Sequence, residues 1–475
     1  MARVDNYFVK GIMDSDTHYP MLDNKSFVLA ENVRISGVGE DGAFKFMRGS
    51  ANVSDYSENG TMQIIGVHRG FNNKSYIFLA HPNGKSKIIQ YDVETGISKV
   101  IIQDNTVLRF DKIRWNNGTV IFPFRYLLSF NQIGNMIIFS NEVWENIRSV
   151  NLDRIDDYAL GFTEEDITLN KKPPSLEPKI FQLINDPSII DKTKKDRFVS
   201  FAYRYKYKDG DWSALSFYSD TAFEIGGNEV PPTWFKINSE RINVGMTNKW
   251  NAVEIMVNSG GENVTEIEVI AREHNSNTGY IIYSGNKKKL NIPNNINTGI
   301  SPNFPHILYK FSNNYKILSE DYTRLLYSNI AKFPKTQDVV GNRFFVANYK
   351  EGYDLIDNNG GQIVIDLDVR KDILPATIYN NNTTAVSLFS YSIGMVYYDD
   401  YNVSTTVLSN ANQSTNDIDI NFADRLHRNI IKVKPNHNPP SFATKFKFVV
   451  KAEQLNYEIL YSHYAMRVGD KVYLL

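Results

Sequence analysis

The sequence predicts a mainly β protein: β-propeller-like blades carrying two inserted β-sandwiches of the fibronectin III or immunoglobulin kind. Three observations predict it. Apolar residues follow period two or fall in short runs, as strand residues do. Turn clusters such as Asn72-Asn73, Pro82-Asn83-Gly84, Lys208-Asp209-Gly210 and Asn358-Asn359-Gly360-Gly361 punctuate those runs. Aromatic residues reach 13%, with 28 Tyr and 28 Phe, side chains that pack well on a pleated surface.

Residues 1–170 carry the first hairpin repeat. Ser75–Asp92, SYIFLAHPNGKSKIIQYD, matches Asn135–Asp153, NMIIFSNEVWENIRSVNLD: an apolar strand, a polar turn, then a strand ending in Asp. Asn342–Tyr349, NRFFVANY, copies the first strand again. Recurring hairpins of this kind are the sequence signature of propeller blades. Residues 170–178, NKKPPSLEP, read as a Pro- and Lys-rich linker. Residues 171–300 then hold the first sandwich, 301–380 a further blade segment, and 381–475 the second sandwich. The sandwiches announce themselves by a second repeat. Phe201–Ser216, FAYRYKYKDGDWSALS, pairs with Phe389–Thr405, FSYSIGMVYYDDYNVST, and Trp250–Glu273 with Ile430–Glu453. One helix is expected, over Ser319–Tyr327, with a Ser N-cap and an acidic first turn. The final Lys471–Leu475 reads as a strand lying in a sheet.

With 475 residues the chain has room for about three domains at ~150 residues each. Lysine and arginine total 52 against 53 acidic residues, a net charge of −1, so no global basic field draws it to nucleic acid or membrane. Cysteine is absent, which removes disulfides, thiolate metal sites and cysteine nucleophiles together. The start, MARVDNYFVKGIMD, has no apolar core of a secretory signal, and no apolar run reaches membrane-spanning length.

Few residues suggest chemistry. Asp14, Asp16 and His18 sit together in MDSDTH, and a D-x-D pair can turn two carboxylates toward a hard cation. The calcium-loop glycine and closing glutamate are missing, so a surface turn is the expectation. Asp354 and Asp357, ahead of Gly360-Gly361, give the same hint. No metal or cofactor is expected; Asp14, Asp16, Asp354 and Asp357 are the positions where a cation would sit. HExxH, GxSxG and P-loop patterns do not occur, and the expectation is a protein that is not an enzyme. Lys192, Lys194 and Lys195, and Lys287–Lys289, are short basic runs, read as solvated loop charges rather than phosphate contacts.

Four segments, in order, resemble the phage virion family called the stabilisation protein. They are Lys10–Asp14 with Leu29–Ile35 (LAENVRI), Arg197–Ser216 (RFVSFAYRYKYKDGDWSALS), Pro334–Tyr353 (PKTQDVVGNRFFVANYKEGY) and Tyr391–Asp400. The resemblance implies a tail component of short-tailed and crAss-like phages, the nozzle or muzzle. It implies a propeller with inserted β-domains and a homo-oligomeric ring, typically of six copies, with other tail and ring proteins as partners. Genomic DNA would pass through the ring's channel without specific binding, and the host surface would lie beyond it. The location implied is the virion tail, after assembly in the host cytoplasm. Family members are usually longer, so further blades would come from another chain or from processing of a larger one.

A channel that lets DNA pass is expected to be acidic or neutral, because each strong phosphate contact adds affinity and slows passage. The Lys runs are therefore expected off the channel, and loops such as Asn286–Pro302 or Asn380–Thr384 are the gate candidates. The rival reading is a glycan-binding or glycan-cleaving propeller with accessory sandwiches, favoured by clustered aromatics and paired carboxylates in a funnel.

Overall fold

The structure, a computed structural model, describes residues 62–110, 128–189, 197–223, 248–294, 306–318, 330–374 and 390–452. Within these spans 72, 82–84, 105, 142–143, 274–275, 277, 342, 411–416, 422 and 425–426 are not described. Outside them only short strands are placed. β1 (Ile12–Met13) pairs in parallel with β2 (Ser26–Phe27). β3 (Val33–Ile35) pairs antiparallel with β4 (Phe44–Phe46), and β9 (Trp115–Asn116) with β10 (Thr119–Val120). The architecture is mainly β: several antiparallel sheets, none closed on itself, with one short α-helix among the described residues.

The first sheet is a four-stranded meander of β5 (Gln63–Arg69), β6 (Lys74–Ala80), β7 (Ser86–Asp92) and β8 (Ser98–Asp104), each paired with its chain neighbour. Alternation explains its core face: Tyr76, Phe78 and Ala80 point one way and are buried. The second sheet is β11 (Ser129–Ile133), β12 (Met136–Ser140) and β13 (Arg148–Asn151). Its Ile137, Phe139 and Val150 share one cluster with the first sheet's face, joined by Phe110 and Trp144. The two repeated hairpins of the sequence thus become β6–β7 in one sheet and β12–β13 in the next.

After β13 come a 3-10 turn (Leu152–Arg154), the helix α1 (Ile155–Leu160) and a second 3-10 turn (Glu164–Ile167) closed by a Thr163–Asp166 capping box. The chain then leaves. It returns only at β21 (Thr336–Val340) and β22 (Arg343–Ala347), a hairpin that lies beside β11. Gln337 makes the join: its N–H donates to Ser129 Oγ at 3.1 Å, and its side-chain amide donates to the Ile138 carbonyl at 2.8 Å. The strand copy seen in Arg343–Ala347 therefore extends the second sheet, and everything between is an excursion from it.

That excursion is the first module. β14 (Lys179–Ile184), β16 (Ala252–Met256) and β19 (Ile307–Lys310) form one sheet; β15 (Val199–Tyr207), β17 (Val264–Glu273), β18 (Gly279–Asn286) and β20 (Lys316–Leu318) form another. The two share one core, with Tyr203, Val253, Ile255, Ile267, Val269 and Tyr309 at its centre. β19 and β20 lie past residue 300, so the module runs on to about 318. The last module pairs β23 (Leu367–Leu374) with β26 (Arg428–Pro435) and sets β25 (Asp417–Asp419), β24 (Ser390–Tyr398) and β27 (Lys445–Ala452) in a second sheet. β28 (Ala465–Val468) and β29 (Lys471–Leu474) form a hairpin, so the final strand pairs as its sequence suggests. The expected helix Ser319–Tyr327 lies outside the described residues.

One edge device explains the serines after the KDG turn. Ser213, Ser216 and Ser219, three residues apart, run along the free edge of β15. The N–H groups of Tyr205, Tyr203 and Phe201 donate to the three hydroxyls at 3.0–3.1 Å. The serine N–H groups return bonds to the same three residues' carbonyls at 2.7–2.8 Å. Each hydroxyl proton goes to the next carbonyl in its own segment. A strand edge is thereby satisfied without another strand. Ser216 is fully buried. Ser216→Ala orphans the Tyr203 N–H and should cost about 1–3 kcal/mol in denaturant unfolding; an unchanged midpoint would contradict the rung.

Candidate functional site

The side chains that do the most unusual work stand at two buried ionic joints, where the separate sheets meet. The first is built on the turn between β15 and the serine edge. Gly210, at φ +89°, closes the turn by donating its N–H to the Tyr207 carbonyl at 2.9 Å. This turn presents Asp209 to a socket on the first region. One carboxylate oxygen accepts from Arg154 at 2.7 Å and from Asn151 Nδ2 at 3.3 Å; the other accepts from Lys171 at 2.7 Å. The Asp209 and Lys171 side chains are 2% and 3% exposed, so the pair is out of water. Burial works against the Asp209 charge, but the Lys171 and Arg154 cations outweigh it and hold its pKa below the ordinary aspartate value. Arg154 also reaches Asp166 and Asp157, and Lys171 donates to the Glu165 carbonyl at 3.2 Å.

The sequence reading of 170–178 as a linker needs correction here. Lys171 is buried in the socket, and Lys172 donates to Asp400 of the last module at 3.1 Å while lying over the Tyr401 ring. Tyr207 Oη donates to the Lys172 carbonyl at 2.8 Å. The two lysines link three regions, Lys171 through its buried pair with Asp209 and Lys172 through a partly exposed pair with Asp400.

The second joint centres on Lys332, 2% exposed, with Glu145 Oε1 at 3.6 Å and Asp399 Oδ2 at 3.8 Å. Its ammonium lies over the Tyr353 ring, whose other face is covered by Phe442 at 3.6 Å between centroids. The Tyr353 hydroxyl meets both Glu145, at 3.1 Å, and Asp399. Burial raises the pKa of both carboxyls and lowers that of Lys332. Residues 145, 332, 353 and 399 come from the second sheet's loops, the returning segment and the last module.

The positions singled out in the sequence behave differently. Asp14, Asp16 and His18, Lys192, Lys194 and Lys195, and Asn380–Thr384 lie outside the described residues, as does much of Asn286–Pro302. Asp357 is occupied locally: its carboxylate accepts from the N–H groups of Asn359 and Gly361 at 2.8 and 2.7 Å, an Asx turn. Among the described residues no group of three or more His, Asp or Glu side chains converges as for a metal ion. Lys287 departs from the expected solvated charge. It is buried, donates to the Gly260 and Gly261 carbonyls and to Asn294, and burial lowers its pKa to about 8. Lys288 and Lys289 are exposed. No motif marks any of the joint residues: Asp209 reads as a turn residue, Lys171 and Lys172 as spacer charges, and Glu145, Tyr353 and Asp399 as members of repeats or family-like segments.

A cavity of about 700 Å³ opens between the modules, lined by Glu177, Lys179, Phe217, Asp220, Tyr398 and the start of β27. The chain matches no protein-family model and no curated protein. The cavity's aromatics are already engaged: Lys447 Nζ stands 3.9 Å from the Phe217 ring centre, and Tyr398 meets the same ring edge to face. A sugar face would have to displace them to stack there. Among the described residues no helix is long and apolar enough to cross a membrane.

Proposed function

We propose that this chain is a structural protein of a phage tail, a nozzle or muzzle subunit whose ring forms the distal wall or gate of the DNA ejection channel. On this reading the two face-to-face meander sheets are propeller blades, and the two double-sheet modules are sandwiches inserted between them.

One observation carries the reading. Three of the segments that resemble the stabilisation protein family each contribute a side chain to one of the joints. Asp209 lies in Arg197–Ser216, Tyr353 ends Pro334–Tyr353, and Asp399 lies in Tyr391–Asp400. A family resemblance that reaches both inter-sheet clamps fits a protein whose work is mechanical. Sheets locked by buried ion pairs make a stiff wall, and a ring closes by heterologous contacts. The net charge of −1 suits a channel that must let DNA slide.

Negative-stain electron microscopy and light scattering of the purified chain test this. A closed ring, sixfold, with an axial hole is the expected result. A monomer that binds glycans and is missing from virions would replace the reading with the glycan-binding one.

A further inference from the structure

Lys332 is a buried amine with incomplete partners. Its Nζ has no hydrogen-bond partner among the described residues, although Glu145 Oε1 stands 3.6 Å away and Asp399 Oδ2 3.8 Å. An ammonium stripped of water and left without hydrogen bonds is costly. Its carrier is nonetheless held firmly. Lys332 and Lys350 donate their N–H groups to each other's carbonyls at 3.1 and 2.8 Å, and the Phe333 N–H donates to the Glu145 carbonyl at 3.0 Å. Phe333 takes φ +50°, a strained conformation for a bulky residue, directly beside the amine.

Asp399 is arranged unlike an ordinary ion-pair partner. Its Oδ1 accepts from the N–H groups of Tyr401 and Val403, both at 2.8 Å. Two such donors at that distance stabilise an oxyanion. Its Oδ2 faces Lys332 and the Tyr353 hydroxyl. The Asp399 side chain is 9% exposed, whereas that of Glu145 is 44% exposed and meets the same hydroxyl at 3.1 Å. A buried amine, a buried carboxyl with a prepared oxyanion site, and a second carboxyl that reaches both the amine and water are the parts of an amide-forming centre.

We propose that Lys332 Nζ and Asp399 Cγ become joined by an isopeptide bond within the folded chain, with Glu145 relaying the proton. One proton passes first from the Lys332 ammonium to the Asp399 carboxylate, the direction in which burial drives both groups. The neutral amine attacks Cγ, a C–N bond forms, and the carbonyl electron pair moves onto Oδ1, where the two N–H groups hold it. Glu145 takes a proton from the nitrogen and returns it to Oδ2. The C–Oδ2 bond breaks, water leaves on the exposed Glu145 side, and the Oδ1 pair re-forms the carbonyl. Nothing is oxidised or reduced, and Glu145 is regenerated. The Nζ–Oδ2 separation of 3.8 Å is slightly beyond the about 3–3.5 Å of a near-attack pair, and the fold replaces a bimolecular encounter. Other charges facing the centre are Glu164 toward Glu145, and Asp400 and Lys445 toward Asp399. Until the bond closes all three groups titrate; afterwards Glu145 alone does. The bond would tie the segment before β21 covalently to the end of β24, so force could not part them by opening an ion pair.

Intact-mass spectrometry of the purified, denatured full chain tests this. The wild type should weigh one water less than its sequence requires, and a digest should give a branched peptide joining Lys332 to Asp399. Lys332→Arg and Asp399→Ala should each restore the full mass, and Glu145→Gln should leave most of the chain open. A wild type of full mass overturns the proposal. So does a water lost within a linear peptide, a branch from Lys332 to Glu145, or a Glu145→Gln chain that closes as fully as the wild type.

Discussion

Asp209→Ala should destabilise the protein by about 3–5 kcal/mol, the scale seen when one partner of a buried ion pair is removed. The size follows from what stays behind. Lys171, 3% exposed, and Arg154, 12% exposed, would keep their charges in a socket that has lost the carboxylate bonded to both. Lys171 would retain one hydrogen bond, to the Glu165 carbonyl at 3.2 Å, with the Tyr207 ring beneath it and Asp211 nearby, while Arg154 would still reach Asp166 and Asp157. Lysine should thus carry most of the cost. Adding Lys171→Met to Asp209→Ala should recover much of the loss, because the orphaned ammonium goes with it. Denaturant unfolding of wild type, both single variants and the double variant measures the coupling. Additive effects would mean that the socket is not a unit.

The same joint gives the pH dependence its sign. Asp209 has a folded pKa below its unfolded one. Its contribution is therefore complete above the ordinary aspartate value of about 3.9 and is lost as pH falls through the folded value. Glu145 and Asp399 are shifted upward and act oppositely: they take up protons more readily when folded, so acidification from neutrality toward their ordinary values favours the fold. Stability should rise from neutral into mildly acid pH and then fall steeply. Asp209→Asn should flatten only the steep acid limb.

Much of the architecture is legible in the residues, and the joints are not, for one physical reason. Strands announce themselves by local alternation, which is why β6–β7, β12–β13, β15 and β24 coincide with the repeats read from sequence. A buried ion pair has no local period. Lys332 is an ordinary lysine until Glu145 and Asp399, distant in sequence, are folded against it. Lys171 sits in a stretch whose prolines and charges describe a spacer equally well. A usable signal did exist at the edge device: serines at 213, 216 and 219 keep a three-residue period that neither strand nor helix explains. The last module shows the converse limit. Only register, which sequence similarity aligned one residue off, decides whether Phe446 or Lys447 faces the core.

Phe139→Ala tests whether the two meander sheets are one unit, and the expected cost is again about 3–5 kcal/mol. Phe139 is fully buried on β12. Its ring meets Phe78 of β6 edge to face at 5.0 Å and Trp144 at 5.6 Å, with Phe110 and Phe130 within 6.5 Å. Truncation removes the ring that touches both sheets, and its rigid aromatic neighbours have little freedom to close the space. If the sheets stand only together, protection against hydrogen exchange should fall in β5–β8 as well as in β11–β13, and Trp144 emission should shift in the same transition. A loss confined to β11–β13 would mean that the first sheet is stable alone. The blade reading would then lose its physical basis, because a blade is a sheet that holds its shape by leaning on the next.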